Sequence, residues 1–167
     1  MNAFEYVNPD SLKAVPKLLR GAGNREVVLI AGGMDLLGEL KDELIAPGQL
    51  VNLKSLPELK YVRHDAKGLR IGATTTLSEI LADAKIQADY PGLAQAADSV
   101  ASIQVRNVGT IGGNLCQRPR CWYYRNPEFP CLKKGGNVCY AVGGNSKYHA
   151  ILGGDPCFIV HPSDLAP

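Results

Sequence analysis

Val27-Val28-Leu29-Ile30-Ala31-Gly32-Gly33-Met34-Asp35-Leu36-Leu37 decides how this chain is read. Its apolar, β-rich start has the composition of a strand buried on both faces, and the glycine pair breaks that run before a helix from residue 35 to about residue 41. Strand, glycine turn and helix in that order let backbone N–H groups converge on an anion, because residues without a Cβ permit close approach. A tight turn with no ligand has the same local sequence, so the stretch alone leaves both readings open.

Working outward, residues 4–7 predict a short strand and Asn8-Pro9-Asp10-Ser11 a helix start, with Leu12, Val15, Leu18 and Leu19 on one face and Gly21 at its end. Pro16 falls beyond the first turn of that helix and predicts a kink or a shifted start. Residues 50–53 predict a strand, and residues 61–64 and 69–73 a hairpin through Asp65-Ala66-Lys67-Gly68. Thr76-Leu77-Ser78-Glu79 has the form of a capping box. After a break at Tyr90-Pro91-Gly92, a helix rich in small residues is expected from residue 93 to about 101.

The chain has 167 residues, 46% hydrophobic and 20% charged, the composition of one globular domain with its own core. Eighteen basic and 16 acidic residues leave a net charge of +2 and no basic face, which argues against nucleic acid and against a membrane surface. No signal-peptide pattern opens the chain and no apolar run is long enough to span a bilayer, so a cytoplasmic protein is expected. Ser163-Asp164-Leu165-Ala166-Pro167 reads as the approach to another element, as in a piece of a longer protein.

A second glycine stretch, Gln104-Val105-Arg106-Asn107-Val108-Gly109-Thr110-Ile111-Gly112-Gly113-Asn114, offers backbone N–H groups, a hydroxyl and an amide together. Neither stretch is a P-loop or a GxGxxG fingerprint, which disfavours a Rossmann fold. Taken alone, Thr110 and Asn114 would satisfy their own turn and Asp164 would cap a helix. Five cysteines follow, all after residue 115, in a stretch where periodicity is lost and Pro119, Pro127 and Pro130 predict a long loop. An odd, late cluster fits metal ligation better than a disulfide framework and leaves one thiol over. Four thiolates suit an iron-sulfur cluster or a tetrahedral zinc ion, although only Cys116 and Cys121 come near the close pairing of zinc ribbons. His64, His149 and His161 are scattered and form no constellation in the sequence. Arg118, Arg120, Arg125, Lys133 and Lys134 either offset the charge of a thiolate site or form a solvated face.

Together AGGMDLL at 31–37 and ASIQVRNVGTIGGNL at 101–115 resemble the FAD-binding subunit or domain of the molybdenum hydroxylases, the xanthine dehydrogenase and aldehyde oxidoreductase family. The resemblance runs from near residue 4 to the end of the chain. It implies an α+β, two-lobed FAD-binding domain of the molybdopterin dehydrogenase type: a first lobe at 1–60, and a second at 61–167 that is incomplete at its C-terminus and carries an irregular Cys-rich insertion at 116–160. By resemblance, Leu29, Ile30, Ala31, Gly32, Gly33, Met34, Asp35 and Leu36 wrap the FAD pyrophosphate. Ala101, Gly109, Thr110, Gly113 and Asn114 then line the flavin and ribityl region, and Asp164 also reaches the cofactor. Met34 departs from the Thr or Ser usual at its place and removes a hydroxyl near the phosphates.

The insertion resembles that of the 4-hydroxybenzoyl-CoA reductase and bacterial aldehyde oxidoreductase FAD subunits. That implies a 4Fe-4S cluster on Cys121, Cys131, Cys139 and Cys157 with Cys116 spare, while a set with Cys116 in place of Cys157 stays open. Trp122, Tyr123 and Tyr124 are expected to pack the loop over the flavin domain rather than carry electrons. The implied function is an electron-transfer subunit of an oxidoreductase, with a molybdopterin-containing catalytic subunit, a 2Fe-2S subunit and ferredoxin as partners. Related complexes also imply a periplasmic alternative, reached by co-export with a partner. The competing expectation is a zinc-stabilised protein-interaction module without redox activity.

Overall fold

Parallel pairing organises the first part of the molecule. The computed structural model describes residues 1–20 and 27–166. Strands β1 (Glu5–Val7), β2 (Val27–Ile30) and β3 (Gln49–Asn52) form a parallel sheet in the order β1-β3-β2, with Val7 opposite Val51 and Ile30 opposite Asn52. Helix α1 (Val15–Leu19) follows β1, and α2 (Leu36–Lys41) joins β2 to β3. The doubly buried strand is therefore β3, where Val51 is fully buried, and not β2, an edge strand whose Leu29 is 38% exposed. Apolar composition marks both strands, but only the order in the sheet tells centre from edge.

The start of α1 is shifted to Val15, which places Pro16 in the first turn, where its missing N–H is not needed. Leu12 and Leu19 consequently lie exposed, and Val15 alone of the expected face is fully buried. Gly21, the expected end of that helix, lies outside the described residues.

Strands β4 (Val62–Asp65) and β5 (Gly68–Ile71) make the expected hairpin, with Asp65 opposite Gly68. Gly68 has φ +117°, a value that disfavours any side chain. Thr76 caps α3 (Leu77–Ala82) in a complete capping box with Glu79. Asp83 caps α4 (Ala84–Asp89). Pro91 opens α5 (Pro91–Ser99) rather than breaking the chain before it, since proline is preorganised for a first turn. This shift ends the helix at Ser99 and leaves Ala101 outside it with φ +42°. Helices α6 (Ile103–Val108) and α7 (Ile111–Leu115) follow.

Two apolar clusters hold these elements. Val15, Val27, Val51 and Leu56 lie beneath the sheet, and Leu77, Ile80, Ile86, Ala97 and Val100 join α3, α4 and α5. Each fully buried Leu or Ile contributes about 1.5–3 kcal/mol. Beyond α7 the backbone is irregular apart from α8 (Trp122–Arg125), a 3-10 turn at Leu132–Lys134 and a bridge between Cys131 and Val138. Among the described residues no helix is long and apolar enough to cross a membrane.

Candidate functional site

The two glycine turns meet. A Cβ on Gly32 would lie 2.4 Å from the Val108 carbonyl oxygen and 3.0 Å from Gly109 Cα, so their backbones are in direct contact. Leu29 and Ile30 end β2, Ala31 and Gly32 form the turn, and Gly33 adopts φ +73° before Leu36 opens α2. Among the described residues, the backbone N–H groups of Gly33, Met34 and Asp35 donate to no protein acceptor. Met34 is half exposed beside them. Free amides at a strand-to-helix glycine turn fit an anionic group such as a pyrophosphate.

The second turn makes its hydrogen bonds within the protein. Its amides are spent on the protein: Ile111 N–H donates to Thr75 O, Gly112 N–H to Ala73 O and Asn114 N–H to Thr110 O. Thr110, almost fully buried, accepts from Gly113 N–H through its hydroxyl oxygen and so caps α7. The pattern offered donors, and the carbonyls of Ala73 and Thr75 together with Thr110 accept from them. Gly109, Thr110 and Gly113 thus shape the wall that Gly32 touches, and Ala101 enters α6 through its left-handed backbone.

Asn114 and Asp164 form one node although 50 residues separate them. Asn114 Nδ2 donates to Asp164 Oδ2 at 2.9 Å, and Asn114 Oδ1 accepts from Ser163 Oγ and the Asp164 N–H. Gln117 Nε2 and Arg120 Nη2 also reach Asp164 Oδ2. Ser163 Oγ accepts from the N–H groups of Leu165 and Ala166, and no helix follows among the described residues.

Burial by itself raises the Asp164 carboxyl, but the hydrogen bonds from Asn114 and Gln117 and the charge of Arg120 outweigh it and hold it below the ordinary aspartate value of 3.8. The stability this contributes is complete above that value and is lost as pH falls through the lower value of the folded state. Asp164→Asn is expected to cost about 1–2 kcal/mol near neutrality. It should also flatten the acid limb of stability, measured by urea titrations across the acid range.

A second site lies in the cysteine-bearing segment. Cys121, Cys131, Cys139 and Cys157 line one recess, together with Tyr123, Tyr124, Lys133 and His149. Cys116 is exposed and does not line it. Among the described residues, no three His, Cys, Asp or Glu side chains are grouped so as to hold a single metal ion. His149, which the sequence left scattered, lies with its Nε2 3.1 Å from Cys121 Sγ and is only 8% exposed. Twenty-eight residues separate the two, and no local pattern signals the pairing.

Trp122 and Tyr123 make ring contacts within this segment. Trp122 tilts against Tyr148 with ring centroids 5.5 Å apart, and Tyr123 meets Phe129 edge-on. Tyr124 alone of the three reaches the acid-base pair of Glu39 and Arg118.

Arg118 and Arg125 turn to acidic residues of α2 and its cap, whereas Arg120 is exposed beside Asp164 and Lys133 lines the recess. Arg118 N–H and Arg125 Nη2 donate to the two oxygens of Asp35, at 2.8 and 2.6 Å. Arg118 Nη1 lies 2.9 Å from Glu39 Oε2, and Arg125 Nη1 lies 3.5 Å from Oε1. Glu39 has no exposed side-chain surface. Its burial pushes the carboxyl above the ordinary glutamate value even though both guanidinium groups pull it down. Asp35, whose own N–H is one of the free amides of the first turn, is in this way charge-paired by the cysteine-bearing segment.

This geometry has counterparts. The family described as FAD binding domain in molybdopterin dehydrogenase matches residues 2–167. The chain is 40% identical over 139 residues to the aldehyde oxidoreductase FAD-binding subunit of Escherichia coli K12, covering 82% of this chain and 44% of that protein. It is 37% identical over 115 residues to the nicotinate dehydrogenase FAD-subunit of Eubacterium barkeri, covering 69% and 39%. The carbon monoxide dehydrogenase structure from Hydrogenophaga pseudoflava superposes with a TM-score of 0.64 at 37% identity, over 68% of this chain and 39% of that one. The chain spans less than half the length of these relatives. With the α+β fold shared and the family matched along the described chain, the protein belongs to the FAD-binding domains of the molybdopterin dehydrogenases.

Proposed function

We propose that the chain is the FAD-binding part of an electron-transfer subunit in a molybdenum-dependent aldehyde oxidoreductase or related hydroxylase, and that residues 116–160 are an insertion holding a 4Fe-4S cluster. The carrying observation is that Cys121, Cys131, Cys139 and Cys157 line one recess while Cys116 stays outside it. Four thiolates lining one recess suit an iron-sulfur cluster, and among the cysteines only Cys116 and Cys121 come near the close pairing of zinc ribbons. The longer match to the Escherichia coli aldehyde oxidoreductase subunit, 139 residues against 115 for the nicotinate dehydrogenase subunit, is what a shared insertion would produce.

FAD, when bound, supplies the redox chemistry that links 2Fe-2S clusters of one partner to an external acceptor such as ferredoxin, while a molybdopterin-containing subunit acts on substrate. The chain's own residues bind and orient. The free amides of Gly33, Met34 and Asp35 take the pyrophosphate, and the contact of Gly32 with Val108 fixes their direction. Ala101, Gly109, Thr110, Gly113 and Asn114 wall the flavin side, and Asp164 holds Asn114 in place.

Iron, acid-labile sulfide and flavin are to be measured on anaerobically purified full-length protein and on single Cys→Ser variants. Cys121→Ser, Cys131→Ser, Cys139→Ser and Cys157→Ser are each expected to lose nearly all iron, and Cys116→Ser to keep it. Wild-type protein with neither iron nor flavin overturns the proposal.

A further inference from the structure

We infer that His149 donates its Nε2–H to the sulfur of Cys121 and so raises the reduction potential of the group the recess holds, an inference that rests on the iron-sulfur reading above. Three observations carry it. Nε2 and Sγ are 3.1 Å apart, within hydrogen-bond reach for sulfur. The ring is more than nine-tenths buried, and its Nδ1 is buried with no partner among the described residues. The imidazole is also held in place: the His149 N–H donates to Ser146 O, and the rings of Trp122 and Tyr123 lie 6.3 and 6.1 Å away at tilted angles.

The tautomer follows from these contacts. A proton on Nδ1 would be a buried donor with nothing to bond, and it would leave the Nε2 lone pair facing the electron-rich sulfur. A proton on Nε2 makes the N–H···S bond and leaves only an unpaired acceptor behind, the less costly of the two arrangements. Donors to ligand sulfurs stabilise the more negative, reduced state more than the oxidised one, because the bond strengthens as charge on sulfur grows. No bond to iron is made or broken by His149 in this role. It is a positioning and tuning residue, and the four cysteines remain the ligands.

The experiment compares His149→Phe, which keeps a ring without a donor, with His149→Gln, which restores an N–H. Both are made in the full-length protein. Both are expected to keep wild-type iron and sulfide. In an EPR-monitored redox titration, His149→Phe should lower the equilibrium constant for reduction about tenfold, equal to about 59 mV for a one-electron couple. His149→Gln should recover most of that shift. An unshifted potential in iron-replete His149→Phe overturns the inference and leaves the cluster intact as a proposal. Loss of iron from that variant also overturns it, by making His149 a ligand or a packing element. A measurement on unmutated protein with 15N-labelled histidine stands independently of either variant: ENDOR of the reduced protein should show a weak nitrogen coupling, and a strong coupling or none overturns the inference. Wild-type protein without iron instead defeats the reading on which the inference rests.

Discussion

Gly32→Ala is expected to abolish flavin binding and to lower the free energy of unfolding by about 3 kcal/mol, the upper part of the range for overpacking. The new methyl carbon would meet Val108 O at 2.4 Å, Gly109 Cα at 3.0 Å and Val108 C at 3.1 Å. All three are backbone atoms, so no side-chain end can swing away. Relief requires the end of β2 to part from the junction between α6 and α7, and that movement redirects the amides of Gly33, Met34 and Asp35. Gly38→Ala is the internal control. It lies in α2 with nothing within 4 Å of a new Cβ, and it should be neutral or stabilising by about 0.5–1 kcal/mol. Flavin absorbance of purified protein and urea titration read both variants. Normal flavin content and stability in Gly32→Ala would show that the two turns do not touch.

Gly136→Ala should have the complementary effect, with iron lost and flavin retained. Here the Cβ would lie 1.6 Å from Pro130 O and 2.5 Å from Pro130 C, which no rearrangement short of opening the loop can accommodate. Gly136 N–H donates to Cys131 O, and the 3-10 turn at Leu132–Lys134 ends on Gly135 at φ +90°. Opening this loop carries Cys131 away from the recess it shares with Cys121, Cys139 and Cys157. A cost of about 3 kcal/mol is expected and is confined to the cysteine-bearing segment, because the two apolar clusters of the domain do not include it. Iron and sulfide analysis beside flavin absorbance checks the outcome, and full iron content would refute it.

What the sequence made legible was local. The hairpin through Gly68, the Thr76 capping box and the strand-turn-helix around Gly32 each depend on residues a few positions apart, and each stands in the structure as read. What escaped depended on which distant segments meet. Nothing near Glu39 marks it as buried beneath arginines 79 and 86 residues later. Likewise β2 and β3 have similar composition, and only pairing with both neighbours makes β3 the interior strand. The partners of the second glycine turn were equally out of reach of a local reading: its amides suit an anion as well as a protein carbonyl, and Ala73 O, Thr75 O and Thr110 accept from them.

Glu39 bears on how such a chain could change over time. Its carboxylate is sealed from solvent and, among the described residues, is matched by guanidinium groups and the Tyr124 hydroxyl of the cysteine-bearing segment. Excising that segment would strand an anion in the interior, a loss of about 3–5 kcal/mol when one member of a buried pair is removed. A shortened descendant would therefore have to exchange Glu39 for a neutral side chain before or together with the deletion.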